Sequence, residues 1–181
     1  MQPAERLQMS LFQLATQYYA TGRFAALAGV VPVCGNLLHH AVEMYLKGAL
    51  ARVLDVRQMR DLGHDLQQIW TLTKQTYPAS NLASFDVAIN RLDPFERLRY
   101  PDALLREGAQ IRLTRLRSEW LPMPNPTRPE PSYDLVIEEI DELIKVIFGI
   151  ANLNPAFFAT GVNPRALAAI GEQNLHAVFD A

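Results

Sequence analysis

Apolar residues recur at intervals of three and four through most of this chain, the signature of helices that each bury one face. Between Ala4 and Ala28 the series Leu7, Leu11, Leu14, Ala15, Tyr18, Tyr19, Phe24 and Leu27 predicts one long helix. Gly22 inside it marks a close helix crossing, or costs ~1 kcal/mol relative to alanine. Gly29 and Pro32 predict a turn, and Pro32 suits the start of a second helix running to about Leu54. A polar loop with Asp55, Arg57, Arg60 and Asp61 follows. Gly63-His64-Asp65-Leu66 then opens a third helix, carried by Leu66, Ile69, Trp70, Thr73 and Tyr77 and stopped by Pro78. Ser80, Asn81 and Ser84 are candidate caps for a fourth helix through Phe85, Ile89 and Leu92, which Pro94 kinks or restarts. Pro101 biases Tyr100 towards extended geometry.

Beyond Ala103 the pattern changes. Gly108 to Thr114 alternates and predicts extended structure, a short hairpin near 108–118, although Ile111, Arg115 and Leu116 also fit a helix face. Leu121 to Ser132 holds five prolines and reads as a stiff surface loop. Ser132 is the expected cap of a fifth helix, Tyr133 to about Ala151. That helix should bury Val136, Ile140, Leu143, Ile144 and Ile147 and show Glu138, Glu139, Asp141 and Glu142 to water. Asn154-Pro155 and Gly161 to Pro164 punctuate a tail whose short helix starts at Pro164, with Gly171 dividing it from Leu175 to Phe179. The expected class is all-α: an antiparallel up-and-down bundle of four to five helices over residues 1–151, with a C-terminal helical appendage over 152–181.

The second helix is the most apolar, and its polar residues form a seam. At ~100° per residue Asn36, His40, Glu43 and Lys47 fall within roughly 60°, with His39 just outside. Glu43 and Lys47 are an i,i+4 pair, and both histidines stand within a turn of Glu43. The open readings are a solvated stripe with local ion pairing, a polar line facing a neighbouring helix or a second subunit, and a ligand-binding or catalytic line. His39 and Glu43 have the spacing of zinc ligands, but no third or fourth ligand is recognisable, and no metal or cofactor is expected.

Composition narrows the function classes. In 181 residues, enough for one sizeable core, the net charge of −2 argues against a generally basic nucleic-acid coat protein, while leaving room for a local basic patch. The lone Cys34 excludes an internal disulfide and a cysteine-based zinc site, which fits a reducing cytoplasm. The N-terminus lacks the form of a signal peptide, and no apolar run reaches the ~20 residues of a membrane span. The expected setting is cytoplasmic, with no membrane partner.

The stretch His40 to Leu50, then Gly63-His64-Asp65-Leu66, then Arg97-Leu98-Arg99-Tyr100-Pro101, resembles the HEPN superfamily of higher eukaryotic and prokaryotic nucleotide-binding domains. The likeness covers roughly residues 8–150. It implies a helical bundle that often dimerises, with members that cleave RNA in toxin–antitoxin or defence systems and others that bind nucleotides or protein partners. The active ribonucleases carry arginine, four to six residues, then histidine near the start of a late helix. Here the late helix has neither, and the only such spacing is Arg57 to His64.

The candidates follow from both arguments. His64 and His40 are the candidate acid–base residues. Asn36, His39, Glu43, Lys47, Arg57, Arg60, Arg97, Arg99 and Tyr100 are candidate binding residues, the arginines as forked donors to phosphate. The segment Arg97 to Arg117 is the most basic, and either follows a nucleic-acid backbone or pairs with the acidic helix Glu138 to Glu142. The expected function is binding of RNA, a nucleotide phosphate or a protein partner by a homodimer. The alternative is a divergent metal-independent ribonuclease.

Overall fold

Two long helices lie side by side at the centre of the protein, α1 (Pro3–Leu27) and α2 (Val31–Leu50), and the rest of the chain packs around them. The structure is a computed structural model that describes residues 2–100, 102, 105–106, 108–121 and 131–179. A turn of three residues joins the pair, with Gly29 at φ 71°, so the helices run antiparallel. Glycines let them approach. A Cβ on Gly22 would stand 2.9 Å from Leu38 Cγ, and one on Gly48 would stand 2.6 Å from Phe12 Cδ2. The expected crossing at Gly22 is therefore real, and Gly48 adds a second.

Against α2 pack α4 (Leu66–Thr76), α5 (Asp86–Leu92), a 3-10 segment (Asp93–Arg99) and α6 (Ile137–Ala151). They contribute Leu66, Ile69, Trp70, Ile89, Leu92, Phe95, Ile140, Leu143, Ile144 and Ile147 to one continuous core. Gly35 is the seat of Phe95: a Cβ there would lie 2.0 Å from the ring. This contact lays the Asp93–Arg99 segment along α2.

Several local expectations are corrected. The second helix stops at Leu50, and the polar stretch after it is a short helix, α3 (Val56–Asp61). Asp55 caps it by accepting from the Gln58 backbone at 2.8 Å, while the Gln58 side chain accepts from the Asp55 backbone. None of Ser80, Asn81 or Ser84 caps α5 by side chain. A 3-10 turn (Leu82–Phe85) leads into it instead, and Pro94 restarts the chain as 3-10 helix.

The protein is mainly helical but not all-α. β1 (Gln110–Thr114) is the extended stretch expected near 108–118, but its partner is not a hairpin neighbour. It pairs in parallel with β2 (Ser132–Val136), Gln110 opposite Ser132 and Thr114 opposite Val136. Parallel pairing cannot be closed by the tight turn of a hairpin. Ser132 is therefore a strand residue rather than a helix cap, and α6 begins at Ile137. Tyr133, Leu135 and Val136 are buried there. The prolines of 122–130 lie outside the described residues.

The tail after Asn152 packs on its own bundle through α7 (Ala156–Ala159) and α8 (Pro164–Gly171). Phe158, Ile170 and Phe179 are buried in the same core, and Phe179 reaches Phe148 at 5.5 Å between ring centroids. Leu175 to Phe179 is not helical. Asp141, expected in water, is 2% exposed. It pairs with buried Arg23 and accepts from Tyr19 Oη at 2.5 Å, and Asn174 of the tail donates to that same hydroxyl at 3.1 Å. Burial raises the Asp141 pKa, against Arg23 and Tyr19, which pull it down.

Candidate functional site

The polar seam of α2 is not a solvated stripe. Glu43 is fully buried and Lys47 is 8% exposed. Lys47 Nζ donates to Glu43 Oε1 at 2.8 Å and to the Gly63 carbonyl, which the left-handed turn at Gly63 (φ 54°) aims back at α2. The same turn brings His64 over the carboxylate: its Nδ1 lies 3.0 Å from Oε2 and 3.1 Å from Oε1. Asp65 then caps α4 by accepting from the Gln68 backbone at 2.9 Å. The Gly63-His64-Asp65-Leu66 stretch thus supplies a turn, a ligand to Glu43, a cap and a core residue in four positions.

Burial alone would raise the Glu43 pKa, but hydrogen bonds from His40, Lys47 and His64 and the Lys47 charge outweigh it and hold the carboxyl at about 2. An ionised carboxylate only accepts, so the His64 Nδ1 facing it carries the proton, and in the neutral ring Nε2 is the lone-pair nitrogen. His64's side chain is 51% exposed, so one edge of the ring is anchored while the other meets solvent.

His40 sits between this pair and the Asp93–Arg99 segment. Its Nδ1 lies 3.5 Å from Glu43 Oε2, and its Nε2 accepts from Arg99 Nη1 at 3.2 Å. The His40 ring centroid is 5.9 Å from that of His64 and 5.5 Å from that of Tyr18. Arg99 also pairs with Glu96 at 3.3 Å and lies over the Tyr100 ring, 5.4 Å from its centroid. Both Arg99 and Tyr100 are exposed.

His39 has a different environment. It is fully buried, and neither ring nitrogen has a hydrogen-bond partner among the described residues. Burial pushes its pKa down to about 4, although Glu43 pulls it upward. An unmet buried polar group costs ~1–3 kcal/mol. The nearest carboxylate is Glu96, whose Oε2 is 3.8 Å from His39 Nδ1 and 3.9 Å from His40 Nε2. That oxygen is also buried without a partner.

The structure brings together His39, His40, Glu43, Lys47, His64, Arg99 and Tyr100. Asn36 serves the fold, donating to the Phe95 carbonyl at 3.2 Å and tying α2 to the segment that carries Glu96 and Arg99. Arg57 and Arg60 are exposed on α3 and make no bond to the cluster, and Arg97 is exposed. Sequence reasoning missed Glu96. Its spacing of three before Arg99 was a signal, but only the Phe95–Gly35 contact turns it towards α2. Other arginines pair within the chain. Arg117 donates to Glu142 at 2.7 Å, Arg91 to Glu139 at 2.9 Å, and Arg112 to Asp134 at 3.0 Å.

No helix among the described residues is long and apolar enough to cross a membrane. The chain matches no protein-family model, and no curated protein or solved structure is significantly similar to it.

Proposed function

We propose that this chain is a HEPN-like helical protein that binds the phosphate of RNA or of a nucleotide at the exposed edge formed by His64, Arg99 and Tyr100. The observation that carries this reading is the half-exposed His64 ring, fixed through Nδ1 by the buried Glu43 carboxylate. A ring so held loses little freedom when its other nitrogen meets a ligand. Arg99 offers forked donors for a phosphate, and Tyr100 beside it offers a face for a base. The resemblance adds a homodimer to this reading.

Binding fits better than cleavage. Glu43 and Lys47 are enclosed by packed elements, and Arg57, the arginine spaced as in the family's ribonucleases, is exposed on α3 and makes no hydrogen bond to His64. The test is fluorescence anisotropy with a labelled RNA oligonucleotide. Loss of one charge-assisted contact, ~1.5–3 kcal/mol, should weaken binding by about 10- to 100-fold in Arg99→Ala. His64→Ala should weaken it as well, and unchanged affinity in both variants contradicts the reading. Metal-free cleavage of the RNA by the wild type, lost in His64→Ala, would replace binding by the ribonuclease reading.

A further inference from the structure

We propose that His39, His40, Glu43 and Glu96 form a binding site for one divalent transition-metal ion of the imidazole-preferring class, such as Zn2+. The inference goes beyond the phosphate reading and does not depend on what meets His64. One ligand atom each from His39, His40 and Glu43 lies within 4.8 Å of the others. Glu96 Oε2 approaches the first two from the opposite element, at 3.8 and 3.9 Å. Bonds of ~2.1 Å in a tetrahedron put neighbouring ligand atoms about 3.4 Å apart. With His40 bound through Nδ1, its distance of 3.5 Å to Glu43 Oε2 already has that value, and the His39 Nδ1 to Glu96 Oε2 distance of 3.8 Å needs less than about half an ångström of closure.

The independent observation is the unmet polar atoms. His39 Nδ1 and Glu96 Oε2 face each other at 3.8 Å, and neither they nor His39 Nε2 has a hydrogen-bond partner among the described residues. Buried polar groups are ordinarily bonded, and a cation between them would satisfy both at once. The donor set of two imidazoles and two carboxylates suits Zn2+, Co2+ or Ni2+ rather than Mg2+ or Ca2+, which take all-oxygen shells. Lys47 and the remaining Glu43 oxygen would hold the carboxylate in place, as outer hydrogen bonds hold metal ligands generally. Arg99, which now donates to His40 Nε2 and pairs with Glu96, would turn towards solvent as the ion enters. It is 39% exposed and has room to do so.

The test uses the full chain, stripped with chelator and titrated with Zn2+ alone by calorimetry, with Co2+ absorption as a readout of ligand geometry. One equivalent should bind to the wild type, and the Co2+ complex should show the visible bands of a tetrahedral site. His39→Gln should weaken binding by more than the roughly 10- to 100-fold that loss of an outer partner typically costs. Glu96→Gln, which removes a partly exposed ligand and leaves the core intact, serves if His39→Gln does not fold. His176→Ala, a histidine paired with Glu138 away from the cluster, should bind as the wild type does. No stoichiometric binding by the wild type overturns the proposal. Equal binding in the wild type and in Glu96→Gln and every folded His39 variant also overturns it.

Discussion

His64 Nδ1 lies within 3.1 Å of both oxygens of Glu43, so a half-exposed imidazole is held by a carboxylate with no exposure of its own. The pair joins the turn at Gly63 to the central helix. It also joins the enclosed part of the cluster to the part that meets solvent.

This pairing should shape the acid limb of stability. Glu43's pKa falls from 4.5 in the unfolded chain to about 2 in the fold. A depressed carboxyl contributes stability that is present above the unfolded value and is lost as pH falls through the folded one. The window is therefore from about pH 4.5 down to about 2, and the contribution is of order 3 kcal/mol. Urea denaturation of the wild type and Glu43→Gln between pH 2 and 7 checks it. The wild type should lose more stability across that window than the variant, and parallel curves would refute the assignment.

Gly35 should be intolerant of even one methyl group. Alanine would put a Cβ 2.0 Å from the Phe95 ring, and overpacking of this kind costs ~1–3 kcal/mol. Because Phe95 seats the segment carrying Glu96 and Arg99, Gly35→Ala should also weaken RNA binding in a folded protein. Chemical denaturation and anisotropy on the same sample measure the two effects.

The Arg23–Asp141 pair predicts an asymmetry between single and double changes. Both residues are 2% exposed. Removing one partner of a buried ion pair typically costs ~3–5 kcal/mol, whereas replacing both by apolar groups of similar size is often neutral. Arg23→Ala should therefore destabilise strongly, while Arg23→Met combined with Asp141→Leu should recover most of the loss. The raised Asp141 pKa lets the carboxyl protonate when Arg23 is gone, so the single-variant cost should shrink as pH is lowered.

Cys34 should be chemically silent in the native protein. It is fully buried, its thiol donates to the Val31 carbonyl at 3.2 Å, and burial pushes its pKa up to about 11. Alkylation at pH 8 should proceed only after unfolding by denaturant, as mass spectrometry will show. Rapid labelling of folded protein would contradict the packing of α2.

The long helices were legible in the sequence because each needs only local information: Pro32 at a helix start, Gly63-His64-Asp65-Leu66 opening the next, and an apolar stripe. The seam on α2 was legible for the same reason. Its burial was not, since nothing local shows that the Gly63 turn folds back over Glu43 and Lys47. Nothing local shows that His40 and His64 meet either, since one stands on α2 and the other in the Gly63 turn. Residues 132–136 were misread because a serine before a helical period looks like a cap, and a parallel partner 22 positions away leaves no local mark. Asp141 was misplaced on the wet face although it stands four after Ile137 and three before Ile144, on the buried side. Only its distant partner Arg23 makes that position tolerable for a carboxylate.

The central claim is that a phosphate-bearing ligand meets the protein at His64, Arg99 and Tyr100. Two-dimensional NMR of the histidine ring nitrogens and aromatic side chains during titration with a short RNA oligonucleotide tests it most directly. The account predicts saturable shifts at His64 Nε2 and Tyr100, with His176 unmoved. Saturable shifts centred on the Arg112–Arg117 face, or none at His64, would contradict it.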